Sequence, residues 1–277
     1  MPRIHIVTVH RRSVPLVRPF VTAIRGAHEV DAVLVEVRDD DGRSGWGEAP
    51  TSWRVTGESP ASVTAAREVA AGFLALKVKA GAGGDDVATL AAVRNAVGPG
   101  VTLRVDANQG WTPRQAVAVI GAWEDAGLGV ELVEQPVHAD DLAGMAFVTD
   151  RVATPVLADE SVWTRRDLRQ VVAEGAADMV NIKLAKTGGL REALGLARLA
   201  REHGIGVLVG CMAETHVGIA SAAALASALT AGDAGVAQDL DGGLWLTASP
   251  VVGGVAYDGD SITLPELPGT GIRGLAR

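Results

Sequence analysis

Leu76-Lys77-Val78-Lys79 is the stretch on which the reading of this chain turns, because the pattern that it starts is repeated down the sequence. A short apolar run ending in a charged or special residue recurs at Asp106 (VTLRVDAN), Glu134 (VELVEQP), Asp159 (PVLADES), Lys183 (MVNIKL), Cys211 (GVLVGCM) and Asp239 (GVAQDLD). Counted from Lys79, these endings are 24 to 28 residues apart, the period of a repeated supersecondary unit. Between them lie stretches such as residues 114–126 and 191–203, whose apolar residues recur at the three- and four-residue spacing of a helix. Strands that are apolar at nearly every position are buried on both faces, as in a barrel wrapped by helices. The unit is therefore the βα step of a (β/α) barrel, an α/β fold whose chemistry sits at the C-terminal ends of its strands.

On the N-terminal side, residues 3–52 read as a small antiparallel sheet in which strands over 30–37 and 44–48 flank the turn Asp39-Asp40-Asp41-Gly42. Its connecting loops, 15–26 with Phe20 and Arg25 and 50–60 with Trp53, Thr56 and Gly57, are expected to hang over the barrel mouth. A helix over 60–72 opens the barrel, and a second hairpin is expected around Asp258-Gly259. The division is 1–58, a small β domain; 59–248, the barrel; and 249–277, a segment returning to the first domain. Seven strand endings are readable where a closed barrel needs eight, so the first strand is missing. Seven strands leave two unpaired edges, which predicts a homo-oligomer.

A length of 277 residues with 48% hydrophobic content supports a sizeable core. The net charge of −8 argues against nucleic acid or an anionic membrane as a partner and favours a small-molecule substrate. One cysteine forms no internal disulfide, and the N-terminus lacks the apolar run of a signal peptide, so the expected compartment is the cytoplasm. The charge-free run 215–232 is built of Ala, Ser, Gly and Thr, and reads as a buried helix rather than a membrane span.

Asp106, Glu134 and Asp159 end three consecutive strands, and alternation turns each inward, since Arg104 and Asp106 share one face and Leu103 and Val105 the other. Three converging carboxylates repel one another unless a cation neutralises them. Oxygen ligands without a converging His or Cys suit Mg2+. Lys77 and Lys79 share a face on one flank of the acids, and Lys183 lies on the other. A lysine beside a second ammonium and a metal becomes a usable base, so Lys79 and Lys183 are the candidate acid/base pair and Lys77 the holder of a substrate carboxylate. Together these residues predict abstraction of an α-proton to give a metal-stabilised enediolate, with a base on each face and hence inversion. Lys186, in the loop after its strand, is read as an ordinary surface lysine; Glu160, Asn108, Gln135 and Glu214 are given at most supporting roles near the rim, and His216 reads as the start of a helix.

The stretches LKVKAG, RVDANQGW, ELVEQPVHADDLAG, LADESV, NIKLAKTGG and QDLDGGL, with FVTAIRG and GWGEAP near the N-terminus, resemble the enolase superfamily, and most closely its dipeptide epimerases. The resemblance covers nearly the whole chain. It implies an enolase-type barrel with a capping domain, Mg2+ on Asp106, Glu134 and Asp159, and acid/base lysines at Lys79 and Lys183. It further implies that Asp239 and Asp241 bind the α-ammonium of a dipeptide substrate and that Arg25 lies on the capping loop associated with the substrate side chain. This chain departs from the family between Gly57 and Pro60, where the helical part of the cap and the first barrel strand are absent, in agreement with the strand count. Two readings follow. One is a Mg2+-dependent dipeptide epimerase, with N-acylamino acid racemases and cycloisomerases as neighbouring alternatives. The other is a catalytically impaired remnant that binds only metal or ligand.

Overall fold

The computed structural model describes residues 4–21, 26–50, 69, 72–230 and 237–276. Three antiparallel strands come first, β1 (Ile4–Val21), β2 (Gly26–Asp39) and β3 (Ser44–Pro50), in the order β1-β2-β3. The β2–β3 turn needs a glycine: Gly42 sits at φ 79° and donates to the Asp39 carbonyl at 3.1 Å, while Asp39 Oδ1 accepts from the N–H groups of Asp41 and Arg43. The sequence placed a loop from residue 15 onward, yet β1 continues to Val21. Its register shifts between Pro15 and Phe20, so a stretch whose two prolines lack N–H donors is carried past without ending the strand. Arg25, the loop from residue 51 on, and the helix expected over 60–72, apart from Val69 and Gly72, lie outside the described residues.

The barrel strands are β4 (Ala75–Lys79), β5 (Thr102–Asp106), β6 (Val130–Glu134), β7 (Val156–Ala158), β8 (Met179–Lys183) and β9 (Gly206–Gly210), parallel and in sequential order. The connecting helices are α1 (Asp86–Val97), α2 (Pro113–Asp125), α3 (Leu142–Thr149), α4 (Arg165–Glu174), the single turn α5 (Leu184–Thr187), and α6 (Leu190–Glu202); α7 (His216–Leu229) follows β9. Their starts are written locally. Thr112 and Pro113 open α2 with a capping box closed by Gln115, and Thr164 does the same for α4 with Asp167. The main core lies between the outward strand faces and the helices, with Leu103, Val105, Ile120, Trp123, Met145 and Leu196 fully buried. Leu132, Leu157 and Leu208 form a separate cluster with Met179.

Among the described residues, the seventh expected strand shows as an isolated parallel bridge between Gly210 and Asp239. Asp239 N–H donates to Val209 O at 3.0 Å and its carbonyl accepts from Cys211 N–H at 3.0 Å. A side chain takes the next ladder position, since Gln238 Oε1 accepts from Val209 N–H at 2.7 Å. The chain then curls into a 3-10 turn, Asp241–Trp245. Among the described residues β4 pairs only with β5, so the two ends of the half-barrel sheet meet through side chains. Lys77 donates to Asp239, and Arg104 Nη1 donates to Ala237 O at 2.6 Å.

The C-terminal segment forms β10 (Val251–Gly253), the hairpin β11 (Ala256–Asp258) and β12 (Ser261–Thr263) around Asp258-Gly259, and β13 (Ile272–Leu275), which pairs with β10. Val251 packs with Ala32 and Leu34 of β2 and Val217 of α7, joining the small sheet to the barrel. Glu48 of β3 fastens the same junction. Its carboxylate accepts from the N–H of Thr215 at 2.9 Å, from the Thr215 hydroxyl, and from Gly218 N–H at 3.3 Å, at the start of α7.

Burial pushes the Glu48 carboxyl up to about 7 against the pull of those hydrogen bonds, and Glu214 adds to the rise. A group whose pKa is raised on folding stabilises fully below its unfolded value of 4.5, and that stability is lost as the pH rises through about 7. The unfolding free energy is therefore expected to fall by about 3 kcal/mol across this window on account of Glu48. Glu48→Gln, which cannot ionise, should lose most of that slope in urea titrations at the two ends of the window. An equal slope in both proteins refutes the assignment.

Candidate active site

Strand alternation turns the charged residues of the rim inward. Lys79 Nζ, at the end of β4, donates to Asp106 Oδ2 at 2.6 Å and to Asn108 Oδ1 at 2.9 Å. Lys77, two residues back on the same face, donates to Glu134 Oε2 at 3.3 Å and to Asp239. On the far flank, Lys183 at the end of β8 donates to Asp159 Oδ2 at 2.6 Å and lies 3.8 Å from Glu134 Oε1. The structure thus gathers Lys77, Lys79, Asp106, Glu134, Asp159, Lys183 and Asp239 at one rim, with Asp159 just beyond β7. Asp241 stands in the 3-10 turn, where its Oδ2 accepts from Trp245 Nε1 at 3.1 Å. Arg25 lies outside the described residues.

The loops that carry these groups are tightly built. Asn108, Gln109 and Gln135 have φ of 43°, 67° and 38°, and all three follow the ends of β5 and β6. Such backbone strain persists only where surrounding contacts hold it. Gln135 supplies some of them, accepting from Asp159 N–H at 2.9 Å and donating to Ser161 at 2.8 Å. Gly81 and Gly110 bring the loops after β4 and β5 into backbone contact, for a Cβ on Gly81 would come within 2.6 Å of Ala107 O.

Lys186 is not a surface lysine. Its side chain is 1% exposed and donates to Asp159 Oδ1 and Asp159 O, both at 2.5 Å, and to Asn181 O at 3.0 Å. The reason is α5, which starts at once after β8 and returns residue 186 to the side of residue 183. Asn181, also passed over in the sequence, donates from Nδ2 to Glu134 Oε1 at 2.8 Å. It stands two residues before Lys183 on one strand, so alternation was the available signal.

Electrostatics distinguish the acids. Burial would raise Asp106, Asp159 and Asp239, but the facing lysines outweigh it and hold all three below the usual carboxylate range. Glu134 goes the other way, to about 7, because burial is reinforced by Asp106 and Asp159. The expectation that crowding disfavours an ammonium is met at Lys186, which burial and Lys183 push down. It is not met at Lys77 or Lys183, where burial is outweighed by the carboxylates and the pKa rises. Among the described residues no three His, Cys, Asp or Glu side chains stand in a metal-holding group.

No helix among the described residues is long and apolar enough to cross a membrane. A family profile described as "Enolase C-terminal domain-like" matches residues 61–274. The L-Ala-D/L-Glu epimerase of Bacillus subtilis is 36% identical over 355 residues, covering 96% of this chain and 95% of the relative. That alignment is longer than this chain's 277 residues, so the relative carries segments that are absent here. Its substrate-liganded structure superposes with a TM-score of 0.91 and 33% identity over 99% of this chain and 100% of the other. A dipeptide epimerase from Enterococcus faecalis, solved with Mg and L-Leu-L-Tyr, gives a TM-score of 0.87 at 30% identity over 97% of this chain and 99% of the other. The N-succinyl-L-Arg/Lys racemase of Bacillus cereus is 37% identical over 210 residues, 75% of this chain and 55% of the relative. With the parallel half-barrel, the small β cap and these likenesses together, the chain belongs to the enolase superfamily, among its dipeptide epimerases, which are isomerases.

Proposed function

We propose that this protein epimerises a dipeptide, inverting the α-carbon next to the carboxylate by proton transfer between Lys79 and Lys183. The observation that carries the reading is the pair of lysines placed on opposite flanks of a carboxylate trio, on β4 and β8. One lysine removes the α-proton and the other returns a proton to the opposite face, so the carbon inverts through an enediolate. Lys77 holds the substrate carboxylate. Asp239 and Asp241 receive the substrate ammonium, and Arg25 is assigned to the substrate side chain. Asn181, Gln135 and Lys186 keep the acids oriented.

Asp106, Glu134 and Asp159 fit Mg2+ by donor chemistry, being oxygen-only and buried, and Glu134 is raised by repulsion from the other two, which a divalent cation relieves. When bound, the ion would supply positive charge beside the substrate carboxylate. We also propose the division 1–58, 59–248 and 249–277, supported by the packing of Val251 against Ala32 and Leu34, and a homo-oligomer associated through the edge of β4 that, among the described residues, has no strand beside it. The single cysteine supports a cytoplasmic setting.

The Bacillus cereus relative favours a second reading, racemisation of an N-acylated amino acid. A panel of L,L-dipeptides and their N-acetyl derivatives, assayed with Mg2+ by α-proton exchange in D2O, separates the two. Asp241→Ala is expected to lower kcat/KM for dipeptides by about thirtyfold or more, as for removal of one partner of a desolvated charge pair, and to leave N-acetyl substrates little changed. Equal effects on the two classes refute the dipeptide reading. No exchange with any substrate, while Mg2+ still binds, supports the impaired remnant.

A further inference from the structure

Asp239 and Asp241 are two residues apart, yet they are satisfied differently. Asp239 has an ammonium of its own, Lys77. Asp241 has none: among the described residues the one side chain donating to it is Trp245, through Nε1 to Oδ2 at 3.1 Å. The groups facing Asp241 are Asp239 on its own segment, Lys77 from β4, the buried Cys211 thiol after β9, and Tyr257 from β11, whose hydroxyl donates to Leu240 O at 2.7 Å. Burial and Asp239 push the Asp241 carboxyl up to about 6, with Lys77 and the Trp245 hydrogen bond pulling it back.

Trp245 is itself anchored. The residue after it, Leu246, bridges to Leu16 of β1, and Thr247 N–H donates to Pro15 O at 2.9 Å. The backbone that follows Trp245 is thus tied to the small sheet, while the indole turns back across the 3-10 turn to Asp241. An indole N–H donates only and does not titrate near neutrality, so it fixes one carboxylate oxygen without competing as a cation.

We propose that Trp245 is the positioning residue of the ammonium subsite: it occupies Oδ2 of Asp241, keeps that carboxylate aimed, and so sets the preference for substrates with a free amine. This rests on the dipeptide reading above. It places specificity in a neutral donor outside the lysine and carboxylate cluster, anchored by the cap.

The test is Trp245→Phe, which keeps the aromatic ring and removes the N–H. With the best dipeptide of the panel, KM is expected to rise about tenfold or more, as for a lost hydrogen bond to a charged group, with kcat changed less than about threefold. The acidic limb of kcat/KM should move to higher pH, because the carboxylate loses a donor that favours its charged form, while the N-acetyl derivative keeps its KM. An unchanged KM and acidic limb overturn the proposal and leave the dipeptide reading standing. So does a loss of kcat shared by both substrates together with a lowered Tm, which marks a merely structural tryptophan. If the wild type turns over no dipeptide, the failure belongs to the function assigned above. The role of Trp245 is then read from carbon-13 carboxyl titration of Asp241 in both proteins, where a midpoint that does not rise in Trp245→Phe overturns it.

Discussion

Lys183→Ala is expected to lose epimerase turnover by about a thousandfold or more, the range of a general acid–base group, while exchanging the α-proton of only one substrate isomer with D2O. Each lysine serves one face, so an enzyme left with Lys79 still deprotonates the isomer presented to β4 but cannot return a proton from the other side. Lys79→Ala should show the mirror result. The structure makes Lys183→Ala a clean experiment. Asp159 keeps the Lys186 ammonium at 2.5 Å and Glu134 keeps Asn181 at 2.8 Å, so neither acid is stranded without a partner. Exchange measured by NMR on each isomer decides. Equal loss for both isomers in both variants argues against two bases.

Asp159→Asn is expected to weaken Mg2+ binding by about a hundredfold or more and also to destabilise the fold. Loss of a residue that merely supports a metal ligand already costs up to about a hundredfold, and loss of the ligand itself exceeds that. The stability effect comes from two buried ammonium groups, Lys183 and Lys186, that share this one carboxylate. Removing one charge of a buried set leaves the others uncompensated, at a cost of about 3 kcal/mol or more. Calorimetric titration with Mg2+ and urea unfolding read the two effects separately. Wild-type Mg2+ affinity in Asp159→Asn would sink the ligand assignment.

The barrel was legible because parallel strands are written as apolar runs and because their inward ends carry charge; Lys79, Asp106, Glu134 and Lys183 each close a ladder where the pattern put them. Of the seventh strand, the described residues show one parallel bridge, Gly210 with Asp239. GVAQDLD has the composition of a strand, but Gln238 uses its side chain where a backbone group was expected, and a hydropathy pattern does not show that exchange. Lys186 was missed for a different reason. Reading LAKT as loop hid the single helical turn that sets residues 183 and 186 on one side. The β1 extension to Val21 was hidden by its prolines, which mark a loop in isolation and a register shift once β2 is beside them.

Lys77 answers to two demands through one ammonium. It bridges the two ends of the described sheet at Asp239 and reaches into the carboxylates of the site at Glu134. A chain closed by a backbone ladder tolerates drift in its side chains at the seam, since any residue supplies the same N–H and C=O groups. Here Arg104 still reaches Ala237 across the seam, but a substitution at position 77 is expected to loosen the seam and disturb the site in one step. Closure of the sheet and the charge balance of the site are thus coupled through that one ammonium.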